Sequence, residues 1–427
     1  MLGAMDLLDD LQARGLIHDS TDRTALAERL SKGSISVYVG FDPTADSLHA
    51  GNLVGQVMLR RFQLAGHKPF ALAGGATGMV GDPGGRSDER NLLNRETLQA
   101  NLAKIKLQLE RLLDFSPGPL QAELVDNATW TEPMSVLDFL RDVGKHMTVN
   151  QMLAKESVKS RIESEHGLSF TEFSYMLLQA NDFRHLREHH GVEMQMGGSD
   201  QWGNITAGID QIRRRLGVAS FGLTWPLLTR TDGQKMGKSV AGALWLDSDK
   251  TSPYQFRQYW MQLPDDDVER FLLQLTLRPV AEIVDLMTDH RGDSGKRLAQ
   301  RALAADVTTM VHGRAAADAA EQAAGVLFGG DPLIASIEAF DVVASEVPTT
   351  TVDLADLGDL VALLVRTGLA TSNGDARRGI QQRGFRVNGR QVDPSQTTVH
   401  TEKPLHNRYI LLRKGRSTFH LLKISPT

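Results

Sequence analysis

His49 and Asn52 stand three residues apart, and Lys235 and Lys238 repeat that interval later in the chain. A histidine and an amide at the mouth of a helix can donate to an anion. Two lysines in a glycine-containing loop, Thr231-Asp232-Gly233-Gln234-Lys235-Met236-Gly237-Lys238-Ser239, can meet a di- or triphosphate. Tyr175, Gln179 and Asp182 fall at i, i+4 and i+7, which sets them on one helical face. Their apolar neighbours Phe173, Met176, Leu177, Leu178 and Phe183 suggest a pocket wall, because a solvated stripe would carry Lys and Glu. Asp200 and Gln201 follow Gly197-Gly198-Ser199, a carboxylate and an amide suited to hydroxyls and amines. The chemistry these groups fit is a polyphosphate beside a small polar molecule. The rival reading of any one of them is bland: strand–turn–helix joints and lysine-rich loops are common.

Strand-end loops must hold these residues. Residues 35–41 are β-branched and aromatic, reading as a buried strand that contains Tyr38 and Gly40. Asp42-Pro43-Thr44 breaks it, and from Leu53 the apolar residues Val54, Met58, Phe62 and Ala65 change to helical spacing. His49-Ala50-Gly51-Asn52 therefore sits at a helix N-terminus, with Gly51 leaving backbone open to a bulky ligand. A second strand over 69–75 runs into Gly74-Gly75-Ala76-Thr77-Gly78-Met79-Val80-Gly81-Asp82-Pro83, then a loop carrying Arg86 and Arg90. An amphipathic helix through Leu98–Leu112, strands over 122–126, 192–196 and 223–228, and a helix from Thr171, as cap, to about His189 complete the alternation. That alternation predicts an α/β fold, a doubly wound parallel sheet with ligands at the carboxyl ends of its strands.

Composition narrows the class. The chain has 427 residues, 41% hydrophobic and 23% charged, enough for a large core and two or three domains. Having no cysteine, it holds no disulfide, thiolate zinc site or cysteine nucleophile. The acidic start, with Asp6, Asp9 and Asp10, does not read as a signal peptide, and no apolar run approaches a membrane span. A cytoplasmic location is expected. Residues 357–427 hold 12 basic against 4 acidic residues, +8 on a remainder of −13, which points to a polyanion partner for that end.

Taken together the motifs resemble those of the tyrosyl-tRNA synthetases, class I aminoacyl-tRNA synthetases with a Rossmann-like catalytic domain. His49-Ala50-Gly51-Asn52 is similar to the HIGH signature and Lys235-Met236-Gly237-Lys238-Ser239 to KMSKS. GFDPTADSLH, GGATGMVGDP, FTEFSYMLLQAND, GGSDQWGNITAG and TSPYQF occur in the family's order, so the resemblance spans essentially the whole chain. Asn52 replaces the second histidine, Gly237 the first serine, and Val39 stands where a cysteine is frequent.

By that resemblance, tyrosine and ATP would give tyrosyl-adenylate, and the acyl group would pass to the terminal ribose of tRNA. Thr44, His49 and Asn52 would face the phosphates, with Arg86, Arg90, Lys235 and Lys238 closing over pyrophosphate. Gly40, Asp42, Gly51, Gly198, Asp200, Met236 and Ser239 would complete the ATP site, Asp200 and Gly198 holding ribose. Asp82, Tyr175 and Gln179 would bind the substrate ammonium, Tyr38 and Asp182 its phenol, and Gln201 would line that site. Magnesium would arrive with ATP, and no protein-bound metal or prosthetic group is expected.

The resemblance also implies a catalytic domain over 1–250; from the cap-like Thr251-Ser252-Pro253 the chain reads as a helical domain over 251–328, and the weakly patterned stretch 329–356 reads as a linker. A small α+β domain over 357–427 would bind tRNA, with Arg377, Arg378, Arg383, Arg386 and Arg413 as phosphate contacts. A homodimer would use the apolar-rich stretch 136–153. Two rivals stand beside this reading. A tryptophan ligase is disfavoured by Tyr38 and Asp182, since indole offers no hydroxyl, and a catalytically silent RNA-binding relative by the intact His49, Lys235 and Lys238.

Overall fold

The computed structural model describes residues 6–82, 94–155, 158–159, 162, 167–229, 231, 238–239, 242–353, 357–396, 398–399 and 403–425. Two compact units are present: Met1–Thr251 with Trp260–Val311, and Ser252–Tyr259 with His312–Thr427.

The first unit is built on a parallel sheet of five strands: β1 (Ser36–Phe41), β2 (Lys68–Ala73), β3 (Glu123–Asp126), β4 (Val192–Gly198) and β5 (Phe221–Trp225). Their order is β3-β2-β1-β4-β5, so successive strands step one way from β1 and then return to its other side. At such a switch point the flanking connections diverge and open a crevice beyond the carboxyl ends. Helices cover both faces, which is why Val37, Tyr38 and Val39 are all buried rather than alternating. Strand β5 runs 221–225 and not 223–228, because Pro226 has no N–H for the ladder.

Helix Ala50–Leu64 leaves the end of β1 and buries Leu53, Val54, Val57, Met58 and Phe62 against the sheet. Helix Phe170–His190 is capped by Ser169, whose hydroxyl accepts from the Glu172 amide at 3.2 Å. Thr171 therefore lies inside the first turn and is not the cap, the extended backbone belonging to Ser169. Phe183 and Leu186 of this helix join Tyr38, Phe70, Leu72, Val192 and Ile212 in one cluster, which locks helix and sheet together.

Helical patterning over 251–328 is divided rather than one body. Helices Asp265–Leu275 and Val280–Gly292 belong to the first unit, where Arg14, itself buried, donates to the carbonyl of Arg278 at 2.7 Å. Helix Arg314–Leu327 belongs to the second, with Ala323 and Val326 in a core shared with Phe340 and Tyr409. The stretch 329–356, expected as a linker, carries helix Ile337–Glu346 and strand β8 (Thr349–Val352). Its weak pattern conceals real anchors: Phe340 and Val343 are fully buried, and Ser336 caps the helix. The second unit's sheet runs β10 (Arg390–Gln391), β9 (Phe385–Val387), β11 (Tyr409–Lys414), β12 (Thr418–Ile424), β8. An Asn-Gly turn joins β9 to β10, with φ +47° at Asn388 and +80° at Gly389.

Candidate functional site

A cavity of about 340 Å³ opens at the carboxyl ends of β1 and β4, at the switch point. Every residue expected in the tyrosine site lines it: Tyr38, Asp82, Tyr175, Gln179, Asp182 and Gln201. So do Gly40, Asp42, Thr44, His49, Gly51, Asn52, Gly198 and Asp200 from the expected ATP site. Arg86, Arg90, Lys235, Met236 and Gly237 lie outside the described residues. The backbone of Lys238 and Ser239 forms a two-residue strand, β6, paired with β7 (Gly242–Ala243).

The polar floor is a hydrogen-bonded chain. Asp182, 1% exposed, accepts from Trp130 Nε1 at 2.8 Å on one oxygen and from Asn127 Nδ2 at 2.9 Å on the other. Asn127 also donates to Thr77 Oγ1 and accepts from the Ala76 amide at 2.7 Å, and Thr77 donates to Asp42 at 2.8 Å. The second oxygen of Asp42 accepts from the Tyr175 hydroxyl at 2.7 Å. No cavity side chain could replace Gly74 in this lattice, because a Cβ there would stand 2.0 Å from Asp42 Oδ1.

On residues that line the cavity, three buried polar atoms have no protein partner among the described residues: Tyr38 Oη, Gln179 Oε1 and Gln195 Oε1. Orphaned groups of this kind are costly unless a ligand completes them. Burial, against the hydrogen bonds of Asn127 and Trp130, lifts the Asp182 carboxyl to about 7. Burial and then the neighbouring Asp182 push the Tyr38 phenol well above its ordinary value, so it stays a neutral donor.

At the cavity mouth His49 is the N-cap of helix Ala50–Leu64. The Gly51 amide donates to Nδ1 at 3.0 Å, which leaves the ring proton on Nε2. Asn52 closes a reciprocal cap by accepting from the His49 amide at 3.1 Å. A Cβ at Gly51 would meet the His49 ring at 2.8 Å, so the glycine serves the cap as well as any ligand. The segment that follows the lysine loop comes to this same place. Directly after β7, Leu244 O accepts from the Ala50 amide and the Leu246 amide donates to Leu48 O, each at 2.9 Å. The segment 244–246 is thereby stitched to the turn that carries His49, with the Trp245 ring edge-on to His49 at 6.3 Å.

Gln201 donates to Asp82 at 2.8 Å and to Asp200 at 3.1 Å, drawing two strand-end loops into one wall. Sequence reasoning missed Thr77, Asn127, Trp130 and Gln195. Asn127 and Trp130 just follow β3, and strand-end position was the only signal that could have flagged them. In the second unit Arg377, Arg378, Arg383 and Arg386 are exposed. Arg413 is half-buried, its guanidinium 5.4 Å from the Phe419 ring centre.

A family model for class I tRNA synthetases (W and Y) matches residues 30–329, and one for the tyrosine–tRNA ligase SYY-like C-terminal domain matches 339–422. The tyrosine–tRNA ligase of Opitutus terrae is 54% identical over 424 residues, 98% of this chain and 100% of that one. That of Roseiflexus castenholzii is 49% identical over 98% and 99%. A C-terminally truncated mitochondrial tyrosyl-tRNA synthetase of Aspergillus nidulans superposes with a TM-score of 0.69 at 33% identity, covering 76% of this chain and 95% of that one. Tryptophanyl-tRNA synthetase of Plasmodium falciparum, at 12% identity and TM-score 0.54 over 72% and 84%, shares the fold alone.

Proposed function

The chain belongs to the class I tyrosine–tRNA ligases, and from that premise we propose how its residues divide the work. In the first step a tyrosine carboxylate oxygen attacks the α-phosphorus of ATP and the bond to pyrophosphate breaks. In the second, a hydroxyl of the terminal tRNA ribose attacks the acyl carbon and AMP leaves. The nucleophile of the first step is already an anion, so the protein supplies position and charge stabilisation rather than a general base.

His49, donating from Nε2, and Thr44 hold the leaving phosphates. Lys235, Lys238, Arg86 and Arg90 meet the charge that develops on pyrophosphate. Asp200 and the Gly198 backbone hold ribose, and magnesium comes in with ATP. Gln179 Oε1 and the Tyr175 oxygen accept from the substrate ammonium, with Asp82 supplying the countercharge and Gln201 fixing Asp82. The phenol sits between Tyr38 and Asp182.

One observation carries the amino-acid assignment. Tyr38 offers a buried hydroxyl with no partner among the described residues, in the same cavity as a carboxylate that two donors already aim. A hydroxyl that can both accept and donate completes the pair, and indole cannot. The test is ATP–pyrophosphate exchange over all amino acids, with the Lys235→Ala/Lys238→Ala double variant beside the parent. Tyrosine-dependent exchange that collapses in the variant, with tyrosine binding retained, supports the reading. An exchange rate unchanged in the variant rejects it.

The exposed basic face of the second unit supports tRNA as the polyanion. A homodimer is supported by Val136, Leu137, Leu140, Val149 and Leu153, large apolar side chains left 40–77% exposed along 136–153. Light scattering should give twice the chain mass, and Leu137→Asp should shift it toward one.

A further inference from the structure

One ring outside the cavity is placed to control what happens inside it. His185 lies three residues after Asp182 on helix Phe170–His190, so the helix itself fixes the two on neighbouring positions of one face. Its imidazole stacks on the Trp130 indole with ring centres 4.3 Å apart and planes 14° apart. From the edge of that same indole Nε1 donates to Asp182. We propose that His185 is a positioning residue for substrate selection. By clamping the Trp130 plane it holds the Trp130–Asp182 hydrogen bond in line, and so aims the carboxylate that reads the phenol. The inference rests on the assignment of Asp182 to the tyrosine hydroxyl given above.

The surroundings support a fixed, neutral ring. His189 also packs against His185, with ring centres 4.4 Å apart, and His190 stands 6.1 Å away, itself edge-on to Phe70. Burial, then His189, Arg184 and His190, hold the His185 imidazole down to about 4, so at neutral pH it stacks as an uncharged aromatic. The other Asp182 donor, Asn127, is held by Ala76 and Thr77. Trp130 Nε1 has Asp182 as its acceptor, and the indole face is where His185 acts. An indole is a single rigid plane, so restraining its face restrains the direction of its N–H.

The test compares tyrosine with phenylalanine in ATP–pyrophosphate exchange for four full-length proteins: the parent, His185→Ala, His185→Phe and Asp182→Asn. His185→Ala is expected to lower the tyrosine-over-phenylalanine ratio of kcat/KM about tenfold, mainly through the tyrosine KM, the size of one weakened hydrogen bond to a carboxylate. His185→Phe, which restores a flat ring, should stay within about twofold of the parent. A merely structural histidine would lower the melting temperature in His185→Ala and leave the ratio untouched. A ratio unchanged in His185→Ala while Asp182→Asn collapses it overturns this inference alone. So does a His185→Phe ratio as poor as that of His185→Ala. Should His185→Ala fail to fold, His185→Gln takes its place with the same expectation, since it keeps bulk without the ring. A ratio unchanged in Asp182→Asn overturns both this inference and the pocket assignment on which it stands.

Discussion

Each unit of this chain is centred on a sheet of five strands, yet the two sheets arrange their polar groups in opposite ways. The parallel sheet of the first unit gathers its functional side chains at one switch point. At the floor of that cavity Tyr38, Tyr175 and Asp182 are buried, and a chain of hydrogen bonds runs from Asp182 through Asn127 and Thr77 to Asp42 and Tyr175. The second unit, built on a mixed sheet, leaves four arginines in water: Arg377 and Arg378 on one helix, Arg383 in the turn after it and Arg386 on the following strand. The contrast follows from what each must read. One hydroxyl on a small molecule is distinguished only where unmet hydrogen bonds are expensive, which requires a dry site. A phosphate backbone is attracted through water by unpaired charge, which burial would extinguish.

Damage to the dry site should be severe and specific to the amino acid. Asp182→Ala is expected to lower the tyrosine-over-phenylalanine ratio on the order of 10²-fold, since it strands Asn127 and Trp130 as well as the substrate phenol. Tyrosine–tRNA ligases are themselves the reference case for discrimination resting on a hydrogen-bonded hydroxyl. Comparing kcat/KM for the two amino acids in folded variant protein checks it, and an unchanged ratio breaks the comparison at its first term.

Damage to the wet surface should spare activation altogether. Replacing Arg377, Arg378, Arg383 and Arg386 by Gln together is expected to cut aminoacylation kcat/KM on the order of tenfold at physiological salt, with exchange intact. The salt dependence of tRNA binding should flatten in parallel. Equal losses in exchange and charging would show that the two regions are not separable in this way.

Tyr38→Phe sharpens the contrast from the other side. Its hydroxyl is buried with no partner among the described residues, so removing it should stabilise the ligand-free enzyme by about 1 kcal/mol while weakening tyrosine binding roughly fivefold. A variant less stable than the parent would mean that the hydroxyl is satisfied in the free enzyme. A further effect is expected on pH. Burial raises the Asp182 carboxyl to about 7, so the folded chain holds that proton more tightly than the unfolded chain, where the group titrates near 4. Its contribution to stability is therefore full below about pH 4 and is lost as pH rises through about 7. From pH 5 to 8 the parent should lose a few degrees of melting temperature relative to Asp182→Asn, and a flat difference would contradict the buried, proton-holding carboxyl.

Much of this was written in the sequence, because it depends on local chemistry. The β-branched run before Gly40, the helical period after Leu53 and the i, i+4, i+7 spacing of Tyr175, Gln179 and Asp182 each follow from neighbours along the chain. Those signals yielded the parallel sheet and the expected lining residues. Strand order is another matter: nothing local says that β4 returns to the far side of β1, and that return creates the crevice. Tertiary contact also decided that Asn127 and Trp130, over fifty residues before Asp182, would hold it. Likewise it joined the segment after the lysine loop to His49, through backbone bonds that carry no side-chain signature. At 329–356 a weak pattern hid an ordered helix and strand, since Phe340 and Val343 are buried among residues distant on both sides in the chain, Ala323 and Val326 before them and Tyr409 and Leu421 after. The types of groups needed for the chemistry are local properties. Which of them are left unpaired, and which are aimed, is settled only when distant segments meet.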